Sequence, residues 1–176
     1  QRTDKKPQVS DLRESGCLTG ETRILRADTG AEVTIKELVD SVAHGGNFLL
    51  GISPRADGSY PPEQTARLAA IGAWLRVNGQ AIYGSRQWER VSDGAGNYFT
   101  RGEDGALYIL ATSWSGQGPV EVRANVPLRP GAAITRLGGN GEALPYAQEN
   151  GRLLIHAPEQ QQATGGAVET VVFRVG

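Results

Sequence analysis

Residues 45–88 read GGNFLLGISPRADGSYPPEQTARLAAIGAWLRVNGQAIYGSRQW, and this stretch decides the fold prediction. It begins with a turn and a short apolar run, residues 48–52, whose length and composition favour a buried strand over a helix. Pro54 and the pair Asp57-Gly58 then indicate a loop, because Pro blocks continuation of a strand and Asp-Gly is typical of turns. The first half of the stretch therefore predicts a strand followed by a loop.

A helix is predicted in the second half of the stretch. It starts at Pro61-Pro62-Glu63, since Pro and an acidic residue are both favoured in the first turn of a helix. Apolar residues recur at helical spacing and form one face: Leu68, Ile71 and Leu75. Asn78-Gly79 marks the expected end, with Gly79 as a left-handed cap. The whole stretch thus predicts strand, loop and amphipathic helix.

These residues resemble the end of the catalytic barrel of α-L-fucosidases, glycoside hydrolase family 29. The family pattern reads roughly G-N-L-L-L-N-I-G-P-x-x-D-G-x-I-P-P, followed by W-L-x-x-N-G-E-A-I-Y-G-T-R-x-W. The matching positions are Gly46, Asn47, Leu49, Leu50, Ile52, Pro54, Asp57, Gly58, Pro61, Trp74, Leu75, Asn78, Gly79, Ala81, Ile82, Tyr83, Gly84, Arg86 and Trp88. Gly51, Ser53 and Gln80 depart from it, where the family has Asn, Gly and Glu. The resemblance implies that residues 35–90 form the last strand and the flanking helices of a (β/α)8 barrel.

Length and composition limit what the chain can be. It has 176 residues, whereas a complete (β/α)8 barrel needs ~250, so the resemblance implies a fragment. A net charge of -1 provides no field that attracts nucleic acid, and no apolar run approaches the ~20 residues of a membrane-spanning helix. No cofactor, nucleic-acid partner or membrane partner is expected. No signal peptide is visible in residues 1–16, although the resembled family is commonly secreted, periplasmic or lysosomal, and the localisation stays open.

Residues 1–16, QRTDKKPQVSDLRESG, are predicted to form a polar arm without apolar periodicity. They also resemble a stretch of bacterial replicative DNA helicases that reads E-Q-R-x-D-K-R-P-x-L-S-D-L-R-E-S-G. The phosphate-binding loop GxxxxGK[ST] of such ATPases is absent from the sequence. The helicase resemblance therefore implies no ATPase function.

Cys17 opens a segment, residues 17–34, that resembles the first block of an intein. In inteins this cysteine thiol attacks the preceding peptide bond. The Thr-x-x-His block and the terminal His-Asn pair that the chemistry also needs are missing, so Cys17 is expected to be an inactive thiol. Residues 23–26 and 31–34 are predicted to form a short hairpin. The seam with the fucosidase-like sequence falls near residues 33–37, and a gene rearrangement or a joining artefact explains it most simply.

A helix is predicted after this seam, because Thr34-Ile35-Lys36-Glu37 fits a capping box. Its apolar face would carry Ile35, Leu38, Val39 and Val42.

After Trp88 the sequence becomes rich in strands and turns. Residues 89–96 are predicted to be a linker, and Asn140-Gly141 and Asn150-Gly151 to be turns that need positive φ. The predicted strands are residues 97–100, 106–112, 120–124, 133–137, 153–156 and 168–175. Short strands at this spacing suggest an antiparallel β-sandwich over residues 97–176, as the resemblance also implies. The predicted fold class is thus an α+β fragment, a barrel end followed by a sandwich.

No catalytic residue is assigned. Retaining glycoside hydrolysis uses two carboxyl groups ~5–5.5 Å apart, and in the resembled family both lie upstream of the part matched here. The loop after a barrel strand lies on the substrate-binding face, so Asn47, Ser53 and Arg55 are the candidates to line or brace a sugar pocket. His44, His156 and Cys17 are isolated from one another in the sequence and predict no metal site.

The function predicted from the resemblance is a fragment of a retaining exo-α-L-fucosidase, inactive alone, whose intact parent binds a fucosylated glycan. One alternative is a non-catalytic carbohydrate-binding module, with Trp88 and Trp114 stacked on sugar rings. Another is the remnant of an intein-containing helicase. Residues of the barrel remnant are expected to pack on the sandwich or to promote self-association: Leu49, Leu50, Ile71, Trp74 and Leu75.

Overall fold

The computed structural model describes residues 23–26 (as backbone), 35–52, 54–158 and 170–176. In chain order, these residues form β1 (Arg23–Arg26), α1 (Ile35–Ala43), β2 (Phe48–Gly51), α2 (Pro62–Asn78), β3 (Arg86–Ser92), β4 (Asn97–Arg101), β5 (Leu107–Ala111), β6 (Val120–Val122), β7 (Ile134–Arg136), β8 (Tyr146–Glu149), β9 (Arg152–Ile155) and β10 (Val171–Val175). A single 3-10 turn, Gly79–Ala81, extends α2. An α+β chain with antiparallel sheets is therefore confirmed.

The first half of the chain has a β–α–β–α arrangement. Strands β1 and β2 are parallel, in a register that sets Ile24 opposite Leu49, and α1 lies between them in sequence. Residues 23–26 bond to β2. The predicted hairpin of residues 23–26 with residues 31–34 stays a prediction, because residues 31–34 lie outside the described part. Parallel neighbours require a crossover connection, and α1 supplies it here.

The second half forms two antiparallel sheets. One has five strands in the order β3-β4-β5-β10-β7, and the other has three in the order β6-β9-β8. The predicted linker over residues 89–96 is wrong in its first half, because residues 89–92 belong to β3, which pairs with β4. The strand forms here because Trp88 of β3 packs on Phe99 of β4. Trp88 is 7% exposed, and the two ring centroids are 5.1 Å apart. Strand β8 was not predicted at all.

The main core lies between these two sheets. It joins inward-facing side chains of both: Phe99, Leu107, Ile109, Ile134 and Phe173 from the five-stranded sheet, and Val120, Val122, Leu153 and Ile155 from the three-stranded sheet. Most of these side chains have no solvent exposure. Burial of a side chain of this size contributes about 1.5–3 kcal/mol, so this cluster is the principal source of stability in the described residues.

A second core lies on the opposite face of the five-stranded sheet. There Leu38 and Val39 of α1 and Ile71 and Trp74 of α2 form one cluster with three residues of the sheet: Tyr108, Leu110 and Val172. Strand β5 is consequently buried at all five positions, as expected for a strand covered on both faces. The Trp74 indole Nε1 donates a hydrogen bond of 2.8 Å to the Thr170 carbonyl and ties α2 to β10. Ile71 and Trp74 therefore pack on the sheet, one of the two expected outcomes.

Helix α2 ends at Asn78, as predicted, but Gly79 is not the left-handed cap. Its φ of -57° and ψ of -29° are right-handed helical, and the left-handed glycine is Gly84, with φ of 65°. A Cβ atom at position 79 would lie 2.8 Å from the ring of Tyr83, so a larger residue there would require that exposed side chain to move.

Candidate functional site

The loop that follows β2 is the candidate site, because it carries two of the three residues proposed to line a sugar pocket. It is a tight turn held by two backbone hydrogen bonds. The Arg55 amide donates one of 2.7 Å to the Ser59 carbonyl, and the Gly58 amide donates one of 2.9 Å to the Arg55 carbonyl. Gly58 has φ of 82°, which side chains disfavour and glycine permits. The turn leaves the side chain of Arg55 exposed at the carboxyl end of β2.

Asp57 closes this turn. Its Oδ1 accepts hydrogen bonds from the Ser59 hydroxyl at 2.7 Å and from the Ser59 amide at 2.9 Å. The hydroxyl hydrogen bond first, and the amide hydrogen bond second, lower the pKa of Asp57 below its ordinary value. A carboxyl group held in its ionised form by its own turn is suited to shaping the loop, and it is a poor proton donor.

The structure does not bring the pocket candidates together. Asn47 precedes β2 and Arg55 follows it, so the two lie at opposite ends of that strand. The Asn47 side chain is exposed, and its carbonyl accepts a 3.2 Å hydrogen bond from the Ser41 hydroxyl of α1. Ser53 and Cys17 lie outside the described residues. Of the pocket candidates with described positions, only Arg55 lies at the end of the strand where the following loop begins.

The tryptophans proposed to stack on sugar rings are core residues. Trp88 is 7% exposed and Trp114 is 9% exposed. The indole Nε1 of Trp114 donates to the carbonyls of Gln117 and Gly118, at 3.2 and 3.1 Å, and so holds its own loop closed. Neither ring presents the open face that stacking on a sugar requires.

A shallow cleft of about 260 Å³ lies beside Trp114, and Asp93 organises its edge. The Asp93 carboxylate accepts hydrogen bonds from the Asn97 side chain at 2.6 Å and from the amides of Ala95 and Arg123 at 2.8 and 2.9 Å. Partial burial of Asp93 opposes its ionisation, but the hydrogen bonds from Asn97, Arg123 and Ala95 outweigh it and lower the pKa of Asp93.

This Asp93 network was not predicted from sequence. The spacing Asp93-x-x-x-Asn97 after a strand is the only signal, and it is common in turns. Asp93 joins the β3–β4 turn to the start of the segment after β6 and has a structural role.

Metal and membrane sites are not found in the described part of the chain. Within residues 35–52, 54–158 and 170–176, no three His, Cys, Asp or Glu side chains are grouped so that they could bind a metal ion. Among the described helices, none has the length and apolar character needed to cross a membrane.

Comparison with known proteins gives a consistent result. The family model Alpha-L-fucosidase matches residues 25–80, the range that contains α1, β2 and α2. The chain is 38% identical over 111 residues to the tissue alpha-L-fucosidase of Rattus norvegicus, covering 61% of this chain and 23% of the relative. It is 34% identical over 129 residues to the tissue alpha-L-fucosidase of Homo sapiens, and this match covers 71% of this chain and 27% of the relative.

A solved structure shares the fold. The Thermotoga maritima alpha-L-fucosynthase, in complex with alpha-L-Fuc-(1-2)-beta-L-Fuc-N3, matches with a TM-score of 0.67 and 28% identity. The match covers 88% of this chain and 38% of that one.

The chain spans about a quarter of the length of the curated relatives it matches. The family match begins at residue 25, so it does not include the helicase-like residues 1–16 or Cys17. Sequence and structure comparisons agree, and together they support the prediction that this chain corresponds to part of an alpha-L-fucosidase.

Proposed function

We propose that this chain is the C-terminal portion of a retaining exo-α-L-fucosidase, which hydrolyses terminal α-L-fucose from glycans. In this proposal, β1, α1, β2 and α2 are the end of a (β/α)8 barrel, and the two antiparallel sheets are the β-sandwich that packs against it. The observation that carries the proposal is the coincidence of the family match, residues 25–80, with the parallel β–α–β–α unit.

The proposed role of the chain in the parent enzyme is to hold one wall of the sugar pocket. Loops at the carboxyl ends of parallel barrel strands surround the substrate, and the turn at residues 54–59 is in that position relative to β2. Arg55 is the proposed contact from this turn, because its guanidinium is exposed and offers several hydrogen-bond donors to sugar hydroxyls. Ser53 is proposed as its neighbour, and Asn47 as a residue that braces the opposite end of β2.

The proposal places the catalytic nucleophile and the acid/base outside this chain. Asp57 is committed to its own turn, and Glu63 is in the first turn of α2, where an acidic residue is favoured. The chain alone is accordingly expected to be inactive, whereas the same residues within a complete barrel contribute to substrate binding.

The test compares the chain alone with a fusion. The fusion joins the part of the Thermotoga maritima alpha-fucosidase that precedes the matched region to this chain at residue 25, and both proteins are assayed with 4-nitrophenyl α-L-fucoside. We expect hydrolysis by the fusion and none by the chain alone. Hydrolysis by the chain alone, or a folded fusion with no activity, contradicts the proposal.

Arg55 provides a sharper test within the fusion. Loss of a hydrogen bond to a charged group costs about 1.5–3 kcal/mol, so Arg55→Ala is expected to raise KM roughly 10- to 100-fold. Arg129→Ala removes another exposed arginine, from the antiparallel part, and is the matched control, with an unchanged KM. Equal KM values for the two variants would remove Arg55 from the pocket.

The carbohydrate-binding alternative predicts a different result. A binding module would hold a fucosylated glycan without hydrolysing it, and the chain alone would show saturable binding in calorimetry. The burial of Trp88 and Trp114 weighs against this outcome.

A further inference from the structure

Three of the six asparagines in the sequence are followed by glycine: Asn78-Gly79, Asn140-Gly141 and Asn150-Gly151. Asparagine is chemically labile, because the backbone nitrogen of the next residue can attack the carbonyl carbon of its side chain. Glycine has no Cβ atom and so obstructs this attack least. The three pairs share the same two residues, so large differences in their reactivity would come from the folded structure.

The pair Asn78-Gly79 is protected by α2. The Asn78 side chain is 6% exposed, and its Nδ2 donates a hydrogen bond of 3.1 Å to the Trp74 carbonyl. The Gly79 amide nitrogen, which would be the attacking atom, donates to the Leu75 carbonyl. Attack at Asn78 therefore requires the end of α2 to open first.

The pair Asn140-Gly141 is exposed, but its side-chain amide is held at both ends. The Asn140 Nδ2 donates a hydrogen bond of 2.6 Å to the Glu142 carboxylate, and the Asn140 Oδ1 accepts one of 3.1 Å from the Glu142 amide. Both hydrogen bonds must break before the side chain can turn its carbonyl carbon towards the Gly141 nitrogen.

The pair Asn150-Gly151 forms the two-residue turn between β8 and β9, whose end residues Glu149 and Arg152 face each other. Both turn residues are exposed and line an open cleft of about 460 Å³. Within residues 35–52, 54–158 and 170–176, no hydrogen bond holds the Asn150 side chain or the Gly151 amide nitrogen. Since the tip of a hairpin also opens locally at little cost, this pair has the least protection of the three.

We propose that Asn150 is a site of spontaneous deamidation and that it reacts before Asn78 and Asn140 in the folded chain. The Gly151 nitrogen bonds to the Asn150 Cγ atom, and the bond from Cγ to Nδ2 breaks. Nδ2 leaves as ammonia, which carries away the proton that the Gly151 nitrogen loses. Water from the open cleft then adds to the succinimide ring and opens either of its two carbonyl–nitrogen bonds, which gives aspartate or isoaspartate.

The product changes the β8–β9 hairpin. Isoaspartate carries the backbone through its side-chain carbon and so adds one backbone atom to a two-residue turn, and the length of a turn sets the register of the strands that it joins. Aspartate adds a negative charge next to Glu149. Among the described strands, β8 is bonded to β9 alone, so a change at this turn acts on its one point of attachment to the sheet. We expect β8 to loosen as the protein ages.

Peptide mapping by mass spectrometry tests the order of reaction in the full 176-residue chain. The chain is incubated in warm, mildly alkaline buffer, once folded and once in concentrated urea, and deamidation is followed at each of the three pairs. In urea we expect similar rates. In the folded chain, Asn150 should stay within about tenfold of its rate in urea, whereas Asn78 should slow at least about a hundredfold. Asn140 should react roughly tenfold more slowly than Asn150, because two hydrogen bonds must break first.

The contrary results are equally definite. If Asn140 reacts as fast as Asn150 in the folded chain, or if folding slows all three pairs to the same degree, the structure does not select Asn150 and the proposal is overturned.

Hydrogen exchange tests the consequence for β8. Asn150→Gly removes the reacting side chain and keeps a residue that accepts positive φ, and Asn140→Gly is the matched control that leaves Asn150 in place. After ageing, exchange in β8 should rise in the parent and in Asn140→Gly, and it should stay unchanged in Asn150→Gly. A rise of the same size in all three proteins, or no rise in a parent that has accumulated isoaspartate at position 150, contradicts the loosening of β8.

Discussion

The five-stranded sheet and the two-stranded sheet of this chain differ in what covers them. The five-stranded sheet has the three-stranded sheet on one face and two helices on the other, and its strand β5 is buried at every position. The two-stranded sheet has helices on one face only, and Leu49 on the other face is 54% exposed. The comparison teaches that the five-stranded sheet is covered on both faces within the described residues, whereas the two-stranded sheet is covered on one face only.

The largest expected difference between the two regions is in the cost of removing an apolar side chain. Phe173 has no exposure and lies between the two antiparallel sheets, so Phe173→Ala is expected to lower the free energy of unfolding by about 3–5 kcal/mol. Leu49→Ala should lower it by under about 1 kcal/mol, because half of that side chain is already in water. Urea unfolding measures both. Similar losses of unfolding free energy for Phe173→Ala and Leu49→Ala would contradict the difference in burial between the two sheets.

The next effect concerns the hydrogen bond from Trp74 of α2 to the carbonyl of Thr170, the residue just before β10. Trp74→Phe removes the donor to the buried Thr170 carbonyl and leaves that group unsatisfied, at an expected cost of about 1–3 kcal/mol. Hydrogen exchange should increase in α2 more than in β4. Leu75→Ala on the same helix, at a half-buried site, is the control for packing alone. An unchanged exchange rate in α2 would show that this hydrogen bond does not fasten the helix.

Asp93 gives the antiparallel part a pH dependence. Because its pKa is lowered in the folded state, its contribution to stability is present above the unfolded value of ~3.9 and is lost as the pH falls through the folded value. Asp93→Asn should lower stability at neutral pH by about 1 kcal/mol after solvent screening and should flatten the stability profile below about pH 4. Denaturant unfolding from pH 7 to pH 3 measures this. If stability changes with pH in the same way in the parent chain and in Asp93→Asn, Asp93 does not contribute to the pH dependence.

The smallest effect is at the β8–β9 turn. Asn150 has φ of 52°, a left-handed conformation that Asn tolerates better than Ala does. Asn150→Ala is expected to cost about 0.5–1 kcal/mol, and Asn150→Gly should be neutral or slightly stabilising. Thermal unfolding of the two variants distinguishes them. A larger loss for the Gly variant would indicate a role of the Asn side chain beyond the backbone.

Sequence predicted best the elements whose signals are local. The Pro-rich start and the Asn78 end of α2 are where expected, and the central apolar run gave β5 within one residue at each end. The Asn150-Gly151 turn also has the expected positive φ at both residues. These features depend on neighbouring residues in the chain, which is why one sequence suffices to place them.

Signals that depend on distant partners were missed. Strand β3 reads as a polar linker because only Trp88 of its seven residues is buried, and its partner β4 is what makes it a strand. The pairing of residues 23–26 with β2, a strand more than twenty residues further along the chain, was not predicted. In the candidate site, the sequence could not show that Asn47 and Arg55 flank β2 from opposite ends.

Hydrogen exchange monitored by mass spectrometry tests the contrast between the two regions most directly. In the chain alone, amides of β4, β5 and β10 are predicted to exchange slowest, and amides of β1 and β2 at least about a hundredfold faster, because a two-stranded sheet opens locally. Equal protection of β2 and β5 would contradict the contrast between a two-stranded sheet covered on one face and a five-stranded sheet covered on both faces.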